Sequence, residues 1–484
     1  GFYISTYASR TPLYIKPRKD LPMERIKAIT PPDSAAMKRA QDKWNSVAKP
    51  LHSLGQLEDI IIKIAGITGS ESFSLDKRCV AVMCADHGVV EEGVTQSDSS
   101  VTAIVAKSVA EGSSNINLMA RSCNADVFAY DVGMNRDVEA NGLIRRKISY
   151  GSENIAKGAA MTYSQAQAAL SVGMDAVRDL KEKGYKIIVT GEMGIGNTTP
   201  AAAVTSVITN ALPEVVTGKG AGLGSKGLER KISTVKRALD INRPDPDNAL
   251  DILSKIGGYD IGAMTGLFLG GAYYHVPIVA DGMISAAAAA LAIKFNKLSR
   301  EYMLCSHTSS EPAAAMLLEY IGLKAPICAG LHLGEGTGGV LLLPLIDAAM
   351  AVYNFGNGVL SACGETKKPL VYLSIAGVLN VILNIFFVVV CKKAADGVAI
   401  ASVIAQYLSA SMIMCHLLRR KDSCKLRLSN KYFDTSACGG VLMIGIPTGM
   451  QNAIFAVANL FVQTGVNHFD AVMVSGNSAA QNAD

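Results

Sequence analysis

The sequence predicts an α/β fold, an open, mostly parallel sheet with flanking helices and a small helical subdomain, followed by a fragment of an α-helical membrane protein. Three observations carry that prediction. Between residues 23 and 354, short β-branched runs stop at Gly, Asp or Asn and pass into Ala-rich helical stretches, the alternation that parallel βα units write into a chain. After Asn354 the pattern changes: Pro369 to Cys391, Gly397 to Leu418 and Cys438 to Asn467 carry no charge, and each is long enough to cross a hydrocarbon core of ~30 Å. The composition agrees with both, because 49% hydrophobic against 18% charged residues excludes a disordered tail.

Taken in chain order, residues 1–22 come first. They hold Arg10, Lys16, Arg18 and Lys19 with no apolar run beside them, and the first methionine is Met23, so this stretch reads as upstream or fragment sequence and not as a secretory signal. Five apolar runs then end alike: RCVAVMC before Asp86-His87-Gly88, ADVFAY before Asp131, KIIVT before Gly191-Glu192, VPIVA before Asp281-Gly282 and YMLC before Ser306-His307. In an open parallel sheet the loops past the carboxyl ends of the strands line the ligand crevice, so these five tips are expected to meet at one pocket. Ile261 to Val279 is also uncharged, but it reads as soluble, broken by Gly262, Gly266, Gly270, Gly271 and Pro277. Among the late stretches, Arg419 to Lys431 holds six Lys or Arg and should face the cytoplasm, together with Lys367 and Lys368.

Charge and cysteine usage narrow the function. The net charge of +5 is a mild excess, much of it in Arg419 to Lys431, so no basic stripe remains to follow a phosphate backbone and nucleic acid is excluded as a partner. The ten cysteines show neither C-x-x-C nor a Cys/His cluster at zinc spacing. Neither a disulfide framework nor a metal site is indicated, and a reducing, cytoplasmic setting follows for the first region.

Three glycine-rich stretches carry candidate chemistry. Gly191 to Pro200 joins a strand to a helix starting at Thr198 or Thr199, and its glycines let backbone N–H groups approach an anion that the helix dipole also favours. It matches neither a Walker A loop nor a dinucleotide fingerprint, and a structural tight turn is its competing reading. Gly218 to Gly224 leads into a basic helix with Lys226, Arg230 and Lys231, either a solvated face or the cation that a phosphorylated ligand needs. In Leu331 to Gly339, Glu335 stands between glycines, equally consistent with a surface turn and with a general base in a partly desolvated site.

The combination resembles one family. KPLHSLGQLE (Lys49 to Glu58), ADHGVVEEGV (Ala85 to Val94), GEMGIGNTTPAAA (Gly191 to Ala203), the Gly218 to Lys231 stretch, SHTSSEPA (Ser306 to Ala313) and LGEGTGG (Leu333 to Gly339) follow, in order, the nicotinate-nucleotide:dimethylbenzimidazole phosphoribosyltransferases. The resemblance covers residues 30 to 354 and implies transfer of the ribosyl phosphate of nicotinate mononucleotide to a benzimidazole-type base, without metal or cofactor, by a homodimer. It implies Glu335 as the base, and the Gly194 to Asn197 turn, including Gly196, with Gly220 and Lys231 on the phosphate. It sets Glu192 and the Ser306 to Ser310 loop, Ser309 within it, against the nucleotide, and Ser97, Met193 and Leu333 around the aromatic base. One departure bears on base preference: Ser97 is followed by Asp98-Ser99-Ser100-Val101-Thr102, where the family often has Pro-Gln-Glu-Val-Thr.

From Phe355 the text changes. GNGVLSACGETKKPL (Gly356 to Leu370) and IGIPTGMQNAIFAVANLFVQTGVNHF (Ile444 to Phe469) resemble multidrug and toxic compound extrusion transporters, of which about 130 residues are present. Residues 23–354 are thus expected to form the enzyme and 355–484 a fragment of about three membrane helices. The join lacks a flexible linker, which points to a chimeric or truncated reading frame, with an efflux fragment carrying the enzyme as a passenger as the alternative. If the frame is natural, the tail attaches the enzyme to a membrane.

Overall fold

The computed structural model describes residues 22–361, apart from 48 and 221, and the isolated positions 379, 383, 386 and 404. The chain divides into two units, Gly1–Ala362 and Cys363–Asp484, and the account below is of the first. Residues 1–21 lie outside the described residues, as do the late uncharged stretches apart from those four positions and the transporter-like segments beyond residue 361.

Six strands form one sheet: β1 (Arg78–Ala85), β2 (Ala125–Gly133), β3 (Ile144–Arg145), β4 (Ile187–Met193), β5 (Ile278–Ala280) and β6 (Met303–Cys305). Their order is β3-β2-β1-β4-β5-β6 and every pairing is parallel. Five of them are the five apolar runs of the sequence. β3 has only two residues and too little pattern to be seen there.

The central strands read as unbroken apolar runs because both faces of the sheet are covered. In β1, Cys79, Ala81 and Met83 enter one core, with the helices Tyr163–Glu182, Tyr259–Tyr274 and Met283–Phe295. Val80, Val82 and Cys84 enter the other, with Gln56–Thr68, Asn115–Ser122 and the last helix, Thr337–Ser361. The chain winds outward from β1 to β3 and then returns to start again at β4. The order therefore reverses between β1 and β4, where an open sheet leaves a crevice.

The glycines of the uncharged 261–279 segment do not break it. Tyr259–Tyr274 is one continuous helix. Gly262, Gly266 and Gly270, four residues apart, lie on one stripe of it and bring it against Tyr163–Glu182. A β-carbon at Gly266 would lie 2.2 Å from the Leu170 carbonyl oxygen, and one at Gly173 would lie 1.9 Å from that of Ala263.

The last helix runs through the boundary expected at residue 354 and reaches Ser361. Over Thr337–Asn354 it is long and apolar enough to span a bilayer, yet half of that stretch is buried in the fold. Leu343, Ile346 and Tyr353 are in the core, and the Tyr353 ring stands 5.0 Å from Trp44 while its hydroxyl donates to the Glu71 carbonyl. By length and composition alone, a core helix passes the same test as a membrane span.

Candidate active site

A cavity of about 260 Å3 opens at the carboxyl ends of β4, β5 and β6, and the loop after β1 closes one side of it. Three of the five strand tips contribute, those of β4, β5 and β6; the tips of β1 and β2 do not, and the chain after β1 reaches the cavity only through Val94 to Gln96. Of the residues singled out in the sequence, Glu192, Met193, Gly194, Gly196 and Asn197 line it from β4, Gly220 and Ser309 from two loops, and Leu333 and Glu335 from the approach to the last helix. Lys231 and Ser97 are not among the lining residues. Gln96 lines the cavity beside Ser97, and its amide donates to the Gly222 carbonyl at 2.6 Å.

The turn after β4 is set by contact. A β-carbon at Gly194 would lie 2.6 Å from the Ala85 carbonyl oxygen, and Gly196 has φ +90°, where only glycine is at ease. The helix Thr198–Thr209 starts directly after it, so its N-terminal dipole points at the cavity. Two of the turn's amides are already used: Ile195 N–H donates to Thr102 Oγ1 and Asn197 N–H to the Gly194 carbonyl.

Lys231 lies one layer behind. Its ammonium, 1% exposed, donates to Thr198 Oγ1 at 2.7 Å and to the Gly218 carbonyl at 3.1 Å, while Thr198 itself lines the cavity. Burial pulls this lysine down to about 8, against the pull of Glu311. Gly220 closes the group, because a β-carbon there would stand 3.0 Å from Thr198 Oγ1 and 3.2 Å from Lys231 Nζ. Its N–H donates to Glu311 Oε1, so a carboxylate already engages the glycine loop.

Acidic groups line the cavity as well. Asn197 Nδ2 donates both to Glu192 Oε2 and to Asp260 Oδ2, and Asp260 pairs with buried His87 at 3.1 Å. Burial raises Glu192 to about 7; Asn197 opposes the shift, and the charges of Asp260 and Asp281 add to it. Burial would lower His87, but the Asp260 charge and hydrogen bond lift it above its ordinary value. Glu335 is also raised, chiefly by burial; the Ile116 amide opposes that and the Asp281 charge adds to it. Among the described residues no group of three or more His, Cys, Asp or Glu is placed to hold a metal.

Sequence reasoning passed over Asp260 and Gln96, met Thr198 only as a helix start, and met Asp281, His307 and His87 only as strand tips. Asp260 had one faint signal, a carboxylate at the first turn of an otherwise uncharged helix.

The comparisons with known proteins agree with this geometry. The model of a family described as phosphoribosyltransferase matches residues 29–359. The nicotinate-nucleotide–dimethylbenzimidazole phosphoribosyltransferase of Ruminiclostridium cellulolyticum is 44% identical over 348 residues, 72% of this chain and 99% of that protein. The protein of the same name from Clostridium acetobutylicum is 42% identical, over 71% of this chain and 98% of its own length. Among solved structures, CobT from Thermus thermophilus superposes with a TM-score of 0.64 at 36% identity, covering 66% of this chain and 96% of that one. The family match falls on the part of the chain that builds the sheet and the cavity, and the chain belongs to the phosphoribosyltransferase family.

Proposed function

We propose that this chain transfers the ribosyl phosphate of nicotinate mononucleotide to 5,6-dimethylbenzimidazole, giving α-ribazole 5′-phosphate and nicotinate for the lower ligand of cobalamin. The observation that supports it best is the polarity of one cavity. Thr198, backed by the Lys231 ammonium, and Gly220 line it beside the Glu311 carboxylate, and Glu192 and Glu335, two carboxylates with raised proton affinity, line it too.

That polarity suits the chemistry. A nitrogen lone pair of the benzimidazole attacks the anomeric carbon, the bond from that carbon to the pyridinium nitrogen breaks, and its electron pair neutralises the leaving nicotinate. No acid is needed at the leaving group. What remains is to hold two flat rings about one carbon and to take the N–H proton that the attacking imidazole no longer keeps. Glu335 takes it, and burial makes this carboxylate a stronger base than one in water. The Gly194 to Asn197 turn, Gly196 within it, Gly220 and Lys231 hold the phosphate; Glu192 and Ser309 face the nucleotide; Met193, Leu333 and Ser97 border the base. The homodimer implied by the family resemblance belongs to the same proposal, and the mass of the purified chain in solution checks it.

The test is nicotinate release by the full chain supplied with both substrates. Glu335→Gln should retain nucleotide binding while turnover falls by about 10²-fold or more, within the range for a general base. Turnover within a few-fold of the unmutated chain would refute the role of Glu335.

A further inference from the structure

The reaction as drawn makes no use of Asp281, a carboxylate 6% exposed just past β5. Both of its oxygens are engaged: Gly336 N–H donates to Oδ2 at 3.2 Å and Gly339 N–H to Oδ1 at 2.9 Å. These amides open the last helix, where unpaired N–H groups and the dipole favour an anion. Glu335 is the residue immediately before them.

Glu335 needs holding. Gly334, Glu335 and Gly336 have φ of +83°, +61° and +94°, and while glycine adopts such angles freely, a glutamate does so at a cost in free energy. Its carboxylate does little to fix it: the Ile116 amide reaches it from Asn115–Ser122, and Oε2 is buried without a hydrogen-bond partner. The backbone around it is enclosed. A β-carbon at Gly191 would lie 2.5 Å from the Glu335 carbonyl oxygen, and one at Gly338 would lie 2.1 Å from His307 Nδ1.

Resting on the reading of Glu335 as the base, we infer that Asp281 is its positioning residue: by accepting the Gly336 and Gly339 amides it locks the left-handed turn that holds the glutamate in the cavity wall, its Oε2 unpartnered. The charged and titratable groups that line the cavity with the pair are Glu192 on β4, His307 after β6, Glu311 and Lys219 on two loops, and His332 shortly before Glu335. His307 favours the charged form of Asp281, and the Asp281 charge in turn raises Glu335.

The experiment compares Asp281→Asn, Glu335→Gln and the double variant in the full chain, by steady-state nicotinate release across pH and by calorimetric binding of nicotinate mononucleotide. D281N loses the charge and one acceptor, so kcat should fall about 10- to 10²-fold, the scale of a misplaced catalytic group, with nucleotide binding within about threefold. The acid limb of the kcat profile should move to lower pH, since the like charge holding Glu335 up is gone. In the E335Q background D281N should change kcat by less than about threefold, because two residues that act as one unit are not additive. A D281N enzyme within threefold of the unmutated chain, a fully multiplicative double variant, or a loss of nucleotide binding in step with kcat would each overturn the inference. If D281N is not recovered folded, D281S takes its place, and failure of both to fold refutes a role confined to Glu335. An E335Q enzyme that keeps its turnover refutes the base itself, and this inference with it.

Discussion

Gly191→Ala puts one methyl group where the base rests. Gly191 is a buried residue of β4, paired with Val82 of β1, and its φ lies outside the left-handed region, so alanine meets no backbone penalty and the test is of space alone. The added β-carbon would stand 2.5 Å from the Glu335 carbonyl oxygen and 3.0 Å from Val82 Cγ2. Ordinary contact begins near 3.4 Å, so 0.9 Å must be found. Val82 is walled in by the second core, whereas Glu335 sits on a loop that is already strained, so the loop is the part that gives way. A catalytic group moved by about 1 Å costs ~10²-fold in rate, or ~2.7 kcal/mol of barrier. We expect kcat to fall by about that factor, with the KM for nicotinate mononucleotide within about threefold, because the added methyl meets Glu335 and Val82 and none of the groups proposed to hold the phosphate. Steady-state nicotinate release by the full chain reads both constants, and circular dichroism with thermal unfolding reports whether the sheet is intact. A folded G191A enzyme with unaltered kcat would refute the claim that the placement of Glu335 limits the reaction.

Two further outcomes follow from buried charge. Lys231→Met should raise the KM for the nucleotide about 10- to 10²-fold, since a charge-assisted hydrogen bond contributes ~1.5–3 kcal/mol. The same variant should raise the Tm of the ligand-free chain below pH 8. With its folded value lowered to about 8, this lysine binds protons less readily in the folded than in the unfolded chain, so the unmutated protein gains stability as pH rises from about 8 towards 10.5. Glu192→Gln carries the opposite sign. With its folded value raised from 4.5 to about 7, Glu192 binds protons more readily when folded, so stability falls as pH rises through that window, and E192Q should gain in Tm above pH 7 while matching the unmutated chain below about pH 4.5. Thermal unfolding across pH checks both.

What the sequence revealed and what it hid divide along a physical line. Cys79 to Cys84 announced β1 because a strand buried on both faces must be apolar throughout, and Gly191 to Pro200 announced a turn into a helix because glycine and proline leave marks at fixed places. Ile144–Arg145 left none, since two residues cannot show a period. Gly262, Gly266 and Gly270 were visible but read as breaks, because a glycine that loosens a chain and one that lets two helices touch look the same until the partner helix is known. Asp281 was legible only as a strand tip and Asp260 only as a lone carboxylate in an apolar helix; their partners were not legible. Asp260 meets His87 across 173 positions and Asp281 meets Gly336 across 55, distances over which composition and spacing carry no signal.

The strand order explains why the proposed anion site falls where it does. In the doubly wound order, the reversal between β1 and β4 leaves a crevice reachable from both strands, and a dinucleotide fold uses the turn after its first strand for phosphate. Here that turn is closed. His87 fills it and is tied to Asp260, and a β-carbon at Gly88 would lie 2.7 Å from the Ser152 carbonyl oxygen and from the Asn154 amide nitrogen. The helix after β4, Thr198–Thr209, is left facing the crevice, with Lys231 held against its first residue. Asp260, which pairs with His87, also accepts from Asn197, which donates to Glu192, so the pair that closes the β1 side also fixes a carboxylate of the cavity. On the proposed reading, the phosphate is therefore left to the start of Thr198–Thr209, and the proton-shedding partner to Glu335.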